Sequence, residues 1–262
     1  MPEPDYNIDG FLPEEDSPKH WSFEERLQGK MVEKESGDVD LREFSSPRHD
    51  QKSTSSCVAN AVVKALEIKR IIEHGKDAHV DLSIMAVYYL ARELMLPPKT
   101  HVDKGTYVSH ACDVLRRFGV CPSSEWPWNP DNICLSPPWM AMRKAYLHKI
   151  DSFFKIRSTK EARVEAVIQS LRAHNPVVFG TAVGWNWNTY RKGQVIECPS
   201  WPKGRHATVL IGWKDGKFIG ENSWGSDWGD NGFYLMAPEV VGCNQASDFW
   251  VIQTGWEPYK AE

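Results

Sequence analysis

The sequence predicts an α+β fold, and three observations carry that expectation. Apolar residues recur at helical spacing through the first half of the chain. Short apolar runs bounded by Gly, Asp and Pro take over in the second half. The two patterns are segregated, with no alternation and no internal repeat, which argues against a βαβ series.

Residues 1–39 are polar, carry several Pro and Glu and show no sustained period. They read as an extension that wraps the body or stays mobile. Val58, Ala61, Val62, Ala65, Leu66 and Ile72 share one face, so a helix is expected over 57–74, ended near Gly75. A second helix is expected over 81–96, with Asp81 or Ser83 as N-cap and Pro97-Pro98 as its stop. In a third, over 107–120, Ala111, Val114, Leu115 and Phe118 share a face and Gly119 closes it. Residues 123–139 form a proline-rich connection, and a fourth helix falls at about 159–174. Strands are expected from "PVVFGTAVG" at 176, "HATVLIGW", "KFIGENSWG", "GFYLMA" and "DFWVIQTGW".

Composition narrows the function. The chain has 262 residues, 41% of them hydrophobic and 25% charged, as in an ordinary globular protein with a sizeable core. A formal net charge of −4 gives no reason to expect a nucleic-acid partner, and no run is apolar enough for a membrane span. The N-terminus is acidic and proline-rich, unlike a secretory signal, so a cytoplasmic protein, or one exported by other means, is expected; in the cytosol its thiols would be mostly reduced. Six cysteines include no C-x-x-C pair, so no metal site is expected.

The chemistry begins at "HDQKSTSSCVANAVVKALE", residues 49–67. The run of Ser and Thr before Cys57 reads in two ways, as helix capping or as the approach to a nucleophile. A cysteine at a helix N-terminus faces unpaired N–H groups and the positive end of the dipole, which favour the thiolate. The same N–H groups suit an oxyanion, and Gln51 adds an amide donor within reach. Taken alone, such a cysteine is more often a small buried apolar residue. Its candidate base is His206, which opens a strand, and an imidazole suits that role near neutral pH.

Asn222 lies 16 residues beyond His206, across a hairpin turn at Lys214-Asp215-Gly216. A two-residue turn would set His206 opposite Gly225, with Asn222 on the other face. A three-residue turn sets His206 opposite Trp224 and makes Asn222 its diagonal neighbour.

Gln51, Cys57, His206-Ala207 and "ENSWGSDWGDNGFY" together resemble the papain-like cysteine peptidases. The Gln-to-Cys and His-to-Asn spacings agree with that family, and the segment 222–232 fits its "NSWG-x-x-WG-x-x-G" throughout. The resemblance runs over about residues 39–256. It implies a two-lobed papain-like fold: a helical lobe at about 50–140, an antiparallel β-barrel-like lobe at about 150–256, and a cleft between them. The peptidase domain would be 40–262, behind an N-terminal extension at 1–39.

The resemblance further implies Cys57 as nucleophile, His206 as acid/base, Asn222 as its orienting acceptor, and Gln51 with the Cys57 N–H as oxyanion hole. Trp224 would cover the His–Asn bond, and Gly105 and Thr106 would pair with an extended substrate. Arg205 would set a charge near the cleft, biasing toward acidic residues or merely solvated. The implied reaction is peptide-bond hydrolysis through a thioester, without metal or cofactor, on protein or peptide substrates.

Thr54 to Val58 depart from the family's Cys-Gly-Ser-Cys-Trp, so one framework disulfide is missing and bulk beside the nucleophile is lost. Cys198 and Cys243 lie near another family bridge, at inconclusive spacing. The extension is either a short propeptide that crosses the cleft and inhibits, or a belt around the two halves. Two rival functions remain at this level: a Cys–His amidase acting on cell-wall or other amides, and a non-catalytic peptide-binding protein.

Overall fold

In the computed structural model, residues 6–28 and 36–255 are described. The first half holds three principal helices: α2 (Cys57–His74), α3 (Ile84–Glu93) and α4 (Val108–Arg117), preceded by a short α1 (Phe23–Gln28). Helix α2 is buried almost all round, so it runs through the protein and not along its surface. It ends at Gly75, which takes a positive φ of 83°. Ser83 caps α3 by accepting from the Ala86 N–H at 3.2 Å. That helix stops at Glu93, three residues short of the expected end. Residues 94–98 turn away from it, with Lys99 N and Met95 N both donating to the Arg92 carbonyl.

The sheet comprises β1 (Val39–Asp40), β2 (Ser152–Ile156), β3 (Val177–Val183), β4 (Val195–Ile196), β5 (Gly204–Lys214), β6 (Lys217–Glu221), β7 (Phe233–Met236) and β8 (Ala246–Gln253). Its order is β2-β8-β3-β5-β6-β7-β4, with β1 pairing on β5. This is an open sheet, which the expected barrel-like lobe describes only loosely: among the described residues, no pairing joins β4 back to β2.

Side chains alternate across β3. Val178 faces the core shared with α2, α3 and α4, whereas Val177 and Phe179 face a second core under α6 (Lys160–Arg172) and α8 (Pro238–Gly242). A sheet buried on both faces explains strands that read as continuous apolar runs. The strands β1, β2 and β4 are too short or too mixed in pattern to announce themselves, and were not expected. The same holds for the short helices α5 (Trp139–Met142) and α7 (Trp185–Asn188).

The β5–β6 hairpin decides the site's geometry. Its turn is the two-residue Asp215-Gly216, both at positive φ (49° and 71°), between Lys214 and Lys217. On its own that turn would put Asn222 on the wrong face. A bulge between Leu210 and Gly212 restores the pairing, so that Val209 faces Glu221. Extending that register sets His206 opposite Trp224. The turn is thus the two-residue alternative, while the register is the one that the three-residue alternative would have given.

The N-terminal segment lies on this body. Trp21 accepts from Lys155 N at 2.9 Å, and Glu24 accepts from the N–H groups of Arg157 and Ser158, both at 2.9 Å. These contacts dock α1 beside β2.

Candidate active site

Cys57 is the first residue of α2 and is completely buried. The capping reading of the Ser/Thr run does not hold, because Ser56 makes no side-chain cap bond. Instead Thr54 Oγ1 bonds Ser56 Oγ at 2.8 Å, and Asn60 Nδ2 donates to Ser56 O and Oγ, both at 3.0 Å. The loop is held from the far side by Asp103, which accepts the Ser55 N–H at 3.0 Å. Tyr88 donates to Asp103 at 2.5 Å and accepts from Gly105 N at 3.2 Å, tying the Gly105 loop to the same scaffold.

Opposite, β5 carries His206, also fully buried. Its Nε2 bonds Asn222 Oδ1 at 2.7 Å, and Asn222 Oδ1 also accepts from Ser223 N at 2.8 Å. His206 Nδ1 has no hydrogen-bond partner. The Cys57 sulfur accepts from Ala207 N at 3.4 Å, so the thiol sits against the residue next to the imidazole. Trp224 tilts over the His206 ring at 5.0 Å between centroids, and Trp187 meets that ring edge-on at 5.8 Å. Gln51 is buried and held by Ser223, which donates to its Oε1 at 2.6 Å. Its Nε2 donates to Thr54 O at 2.8 Å and to Asn7 O at 3.2 Å. Cys57, His206, Asn222 and Gln51 thus gather in one place.

That place is covered by the chain's own residues 6–14. Tyr6 stacks flat on Trp224 at 4.7 Å and donates to its carbonyl at 2.9 Å. Gly10 lies against the sulfur: a Cβ built there would sit 2.7 Å from Sγ and 2.5 Å from Ser55 O. Gly105 is matched to it, with φ of 69° and a Cβ position only 2.3 Å from Gly10 O. Thr106 N donates to Gly10 O at 3.3 Å and Leu12 N to Thr106 O at 3.2 Å, so Thr106 pairs with the protein's own chain, while Gly105 only leaves room for it.

Phe11 drops its ring onto Gly180, where a Cβ would come within 2.1 Å of it. Arg205 is exposed and bridges Asp9 through the backbone. Glu14 ends the covered stretch at the start of α4, accepting from Ser109 Oγ at 2.7 Å and Ser109 N at 3.3 Å.

Burial under this cover sets the charges. Loss of solvent pushes the Cys57 thiol up to about 12, against the nearby N–H groups that would lower it. Loss of solvent likewise pushes His206 down to about 4, with the Asn222 bond acting the other way. The covered pair is therefore a neutral thiol beside a neutral imidazole.

Sequence reasoning named the extension but missed Tyr6, Gly10 and Phe11 as the residues that meet the site. "YNIDGF" lacks any period that would mark it. It also missed Trp187, whose one signal was the high tryptophan count. All six cysteines are free, including Cys198 and Cys243. Among the described residues, no cluster of His, Cys, Asp or Glu is arranged to hold a metal, and no helix is long and apolar enough to cross a membrane.

The sequence profile of the papain family cysteine proteases matches residues 36–254. An uncharacterized peptidase C1-like protein of Acanthamoeba polyphaga mimivirus is 31% identical over 221 residues, covering 80% of this chain and 70% of the viral one. Pro-cathepsin H of Bos taurus is 29% identical over 74% of this chain, which spans just 56% of that protein. Among solved structures, xylellain, a cysteine protease from Xylella fastidiosa, superposes with a TM-score of 0.78 at 26% identity, covering 97% of both chains. A digestive procathepsin L2 of Tenebrio molitor superposes with the same TM-score, 0.78, at 17% identity over 97% of this chain and 80% of its own, which speaks to fold alone.

Proposed function

The chain belongs to the papain family of cysteine proteases, and on that premise we propose that it hydrolyses peptide bonds with a Cys57–His206–Asn222 triad, held closed by its own residues 6–14. The observation that carries this reading is the convergence of Cys57, His206, Asn222 and Gln51 beneath that one segment. No feature of the site favours the amidase or the non-catalytic reading.

In the open enzyme, water returns to the cleft and the charged forms regain their solvation. The Cys57 proton moves to His206, leaving a thiolate at the N-terminus of α2. The thiolate attacks the scissile carbonyl carbon. The new oxyanion takes hydrogen bonds from the Cys57 N–H and from Gln51 Nε2, the donor that now holds Asn7 O. His206 then gives its proton to the leaving amine, and a thioester remains on Cys57. Neutral His206 takes a proton from water, the resulting hydroxide attacks the thioester, and the carboxylic acid leaves with the thiolate restored. Asn222 keeps the Nε2–H occupied throughout, which leaves the unpartnered Nδ1 as the nitrogen that exchanges the proton with the sulfur.

In this covered state the segment is not placed for attack, because its contacts are split. The carbonyl at Gln51 belongs to Asn7, whereas the residue at the sulfur is Gly10. No single peptide unit meets both the nucleophile and the oxyanion donor.

Hydrolysis of a fluorogenic peptide panel, set against purified peptidoglycan, tests the function, with Cys57→Ala as the partner variant. Peptide turnover that Cys57→Ala abolishes, with the melting temperature nearly unchanged, is expected. Retained turnover in Cys57→Ala would mean that the nucleophile is misassigned.

A further inference from the structure

Behind the proposed catalytic groups, between α2 and the β5–β6 hairpin, lies a cluster of buried charges that the reaction does not use. Lys64 is seven residues beyond Cys57 on α2, two turns along nearly the same face. Its Nζ lies 3.5 Å from Glu221 Oε1 and 3.5 Å from Glu67 Oε2, and it donates to Pro47 O at 2.7 Å and to Ser46 Oγ. Glu221 takes a second cation, Arg48, at 3.2 Å and a hydrogen bond from Ser45 Oγ. Glu67 accepts from Ser46 Oγ at 2.5 Å and Leu82 N at 2.9 Å and contacts His49 Nε2 at 3.1 Å. Burial alone would raise the Glu67 carboxyl, but His49, Lys64 and these donors hold it well below the usual range. Lys64, Glu67 and Glu221 are each buried. Lys64 and Arg48 match the two carboxylates Glu67 and Glu221 in number.

We propose that Lys64 and Glu221 are positioning residues: their ion pair locks α2 to the end of β6 and so holds Asn222, and through it His206, in register with Cys57. This rests on the assignment of those three groups as the triad.

Glu221 is the chain neighbour of Asn222 and makes the last ladder pair of the hairpin, with Val209. Asn222 lies beyond that ladder, and its N–H goes instead to Gly232 O at 2.9 Å. It is held from both chain neighbours: Ser223 pairs with Gln51, whose N–H donates to Ser223 O at 2.8 Å, and Glu221 supplies the tie to α2 itself through Lys64. The gap between Asn60, Ala61 and Lys64 on one side and Ala207, Glu221 and Asn222 on the other has room for about one water molecule. A buried ion pair adds little stability over apolar residues of the same size, whereas removing one partner strands a charge. Its contribution here is a fixed distance between the helix bearing the thiol and the strand end bearing the amide.

The test compares Lys64→Met, Glu221→Gln and the double variant in the full chain, with Lys69→Met as control. Lys69 is a buried lysine on the same helix that bonds Asn175 at 3.0 Å, away from the site. Two readouts are taken: kcat and KM for peptide hydrolysis, and the 15N NMR resonance of the His206 Nε2–H. Each single variant is expected to lower kcat roughly 10- to 100-fold with KM within about twofold. The double variant is expected to be no worse than either single one. The His206 resonance should shift or broaden in the single variants and not in Lys69→Met. An unchanged kcat and resonance, with a melting temperature lowered as in Lys69→Met, would overturn the proposal. Should neither wild type nor the opened Gly10→Ala chain hydrolyse any peptide, the triad assignment falls, while the resonance still decides whether the pair positions His206. If Lys64→Met fails to fold, the near-isosteric Glu221→Gln carries the test.

Discussion

Replacing Gly10 by alanine should open the enzyme. One methyl group is added where a Cβ would stand 2.7 Å from the Cys57 sulfur and 2.5 Å from Ser55 O, distances that ordinary packing does not allow. Neither neighbour can give way: Ser55 is held by Asp103 through its N–H at 3.0 Å, and Cys57 is fixed in the first turn of α2. The segment can give way, since its contacts to Thr106, at 3.2 and 3.3 Å, are two hydrogen bonds at its own edge. Overpacking of this size costs about 1–3 kcal/mol. Borne by the docked segment alone, that shifts the closed-to-open ratio roughly 5- to 150-fold. The assay is the rate of Cys57 alkylation by a vinyl sulfone in the full chain, read by intact mass, beside the melting temperature. A rate raised within that range, with little change in melting temperature, is expected. An unchanged rate in a folded Gly10→Ala chain would refute the idea that close packing of Gly10 on the sulfur holds the cleft shut.

Asn222→Ala leaves the His206 Nε2–H without its acceptor in a buried site, a loss of about 1–3 kcal/mol; kcat for peptide hydrolysis should fall roughly 5- to 150-fold, and an unchanged kcat would count against the triad. Closure should also depend on pH. His206 is pushed down to about 4 in the covered state from 6.5, so the open state binds the proton first, and closure weakens as pH falls from 6.5 toward 4 by up to about 3 kcal/mol. The Cys57 thiol, raised from 9.0 to about 12, weakens closure as pH rises past 9. Burial raises the Glu14 carboxyl, which favours docking in acid and offsets part of the His206 effect near 4.5. Hydrogen-exchange protection of the Leu12 and Thr106 amides, corrected for intrinsic rate, should therefore peak between about pH 6.5 and 9; protection that rises steadily into acid would contradict this. Gly180→Ala should expel the Phe11 ring, whose atoms would lie 2.1 Å from the new Cβ, and faster alkylation of Cys57 is the expected reading.

Much of the site is legible in the chain because its chemistry is tied to fixed spacings. Cys57 lies at a helix start that the apolar period of α2 marks to the residue. His206 and Asn222 are separated by a hairpin whose turn residues are plain. The bulge between Leu210 and Gly212 that brings them together is not legible, because Leu-Ile-Gly reads as uninterrupted strand. The sheet's openness is also hidden, since it depends on which edges pair, and β4 and β1 are two residues each. Docking of "YNIDGFLPE" is invisible for a different reason. Its partners are a tryptophan face, a glycine socket at Gly180 and a helix start, each made by distant parts of the chain. Lys64 and Glu221 escaped notice because a lysine inside an apolar helical face, read alone, looks like a solvated position.

The most direct measurement is rapid-quench mass spectrometry of the full chain turning over an activated peptide ester. A transient adduct of acyl mass on the tryptic peptide containing Cys57, absent from Cys57→Ala and decaying as acid product appears, is the expected result. Turnover without that adduct, or an acyl group on any other residue, would contradict it.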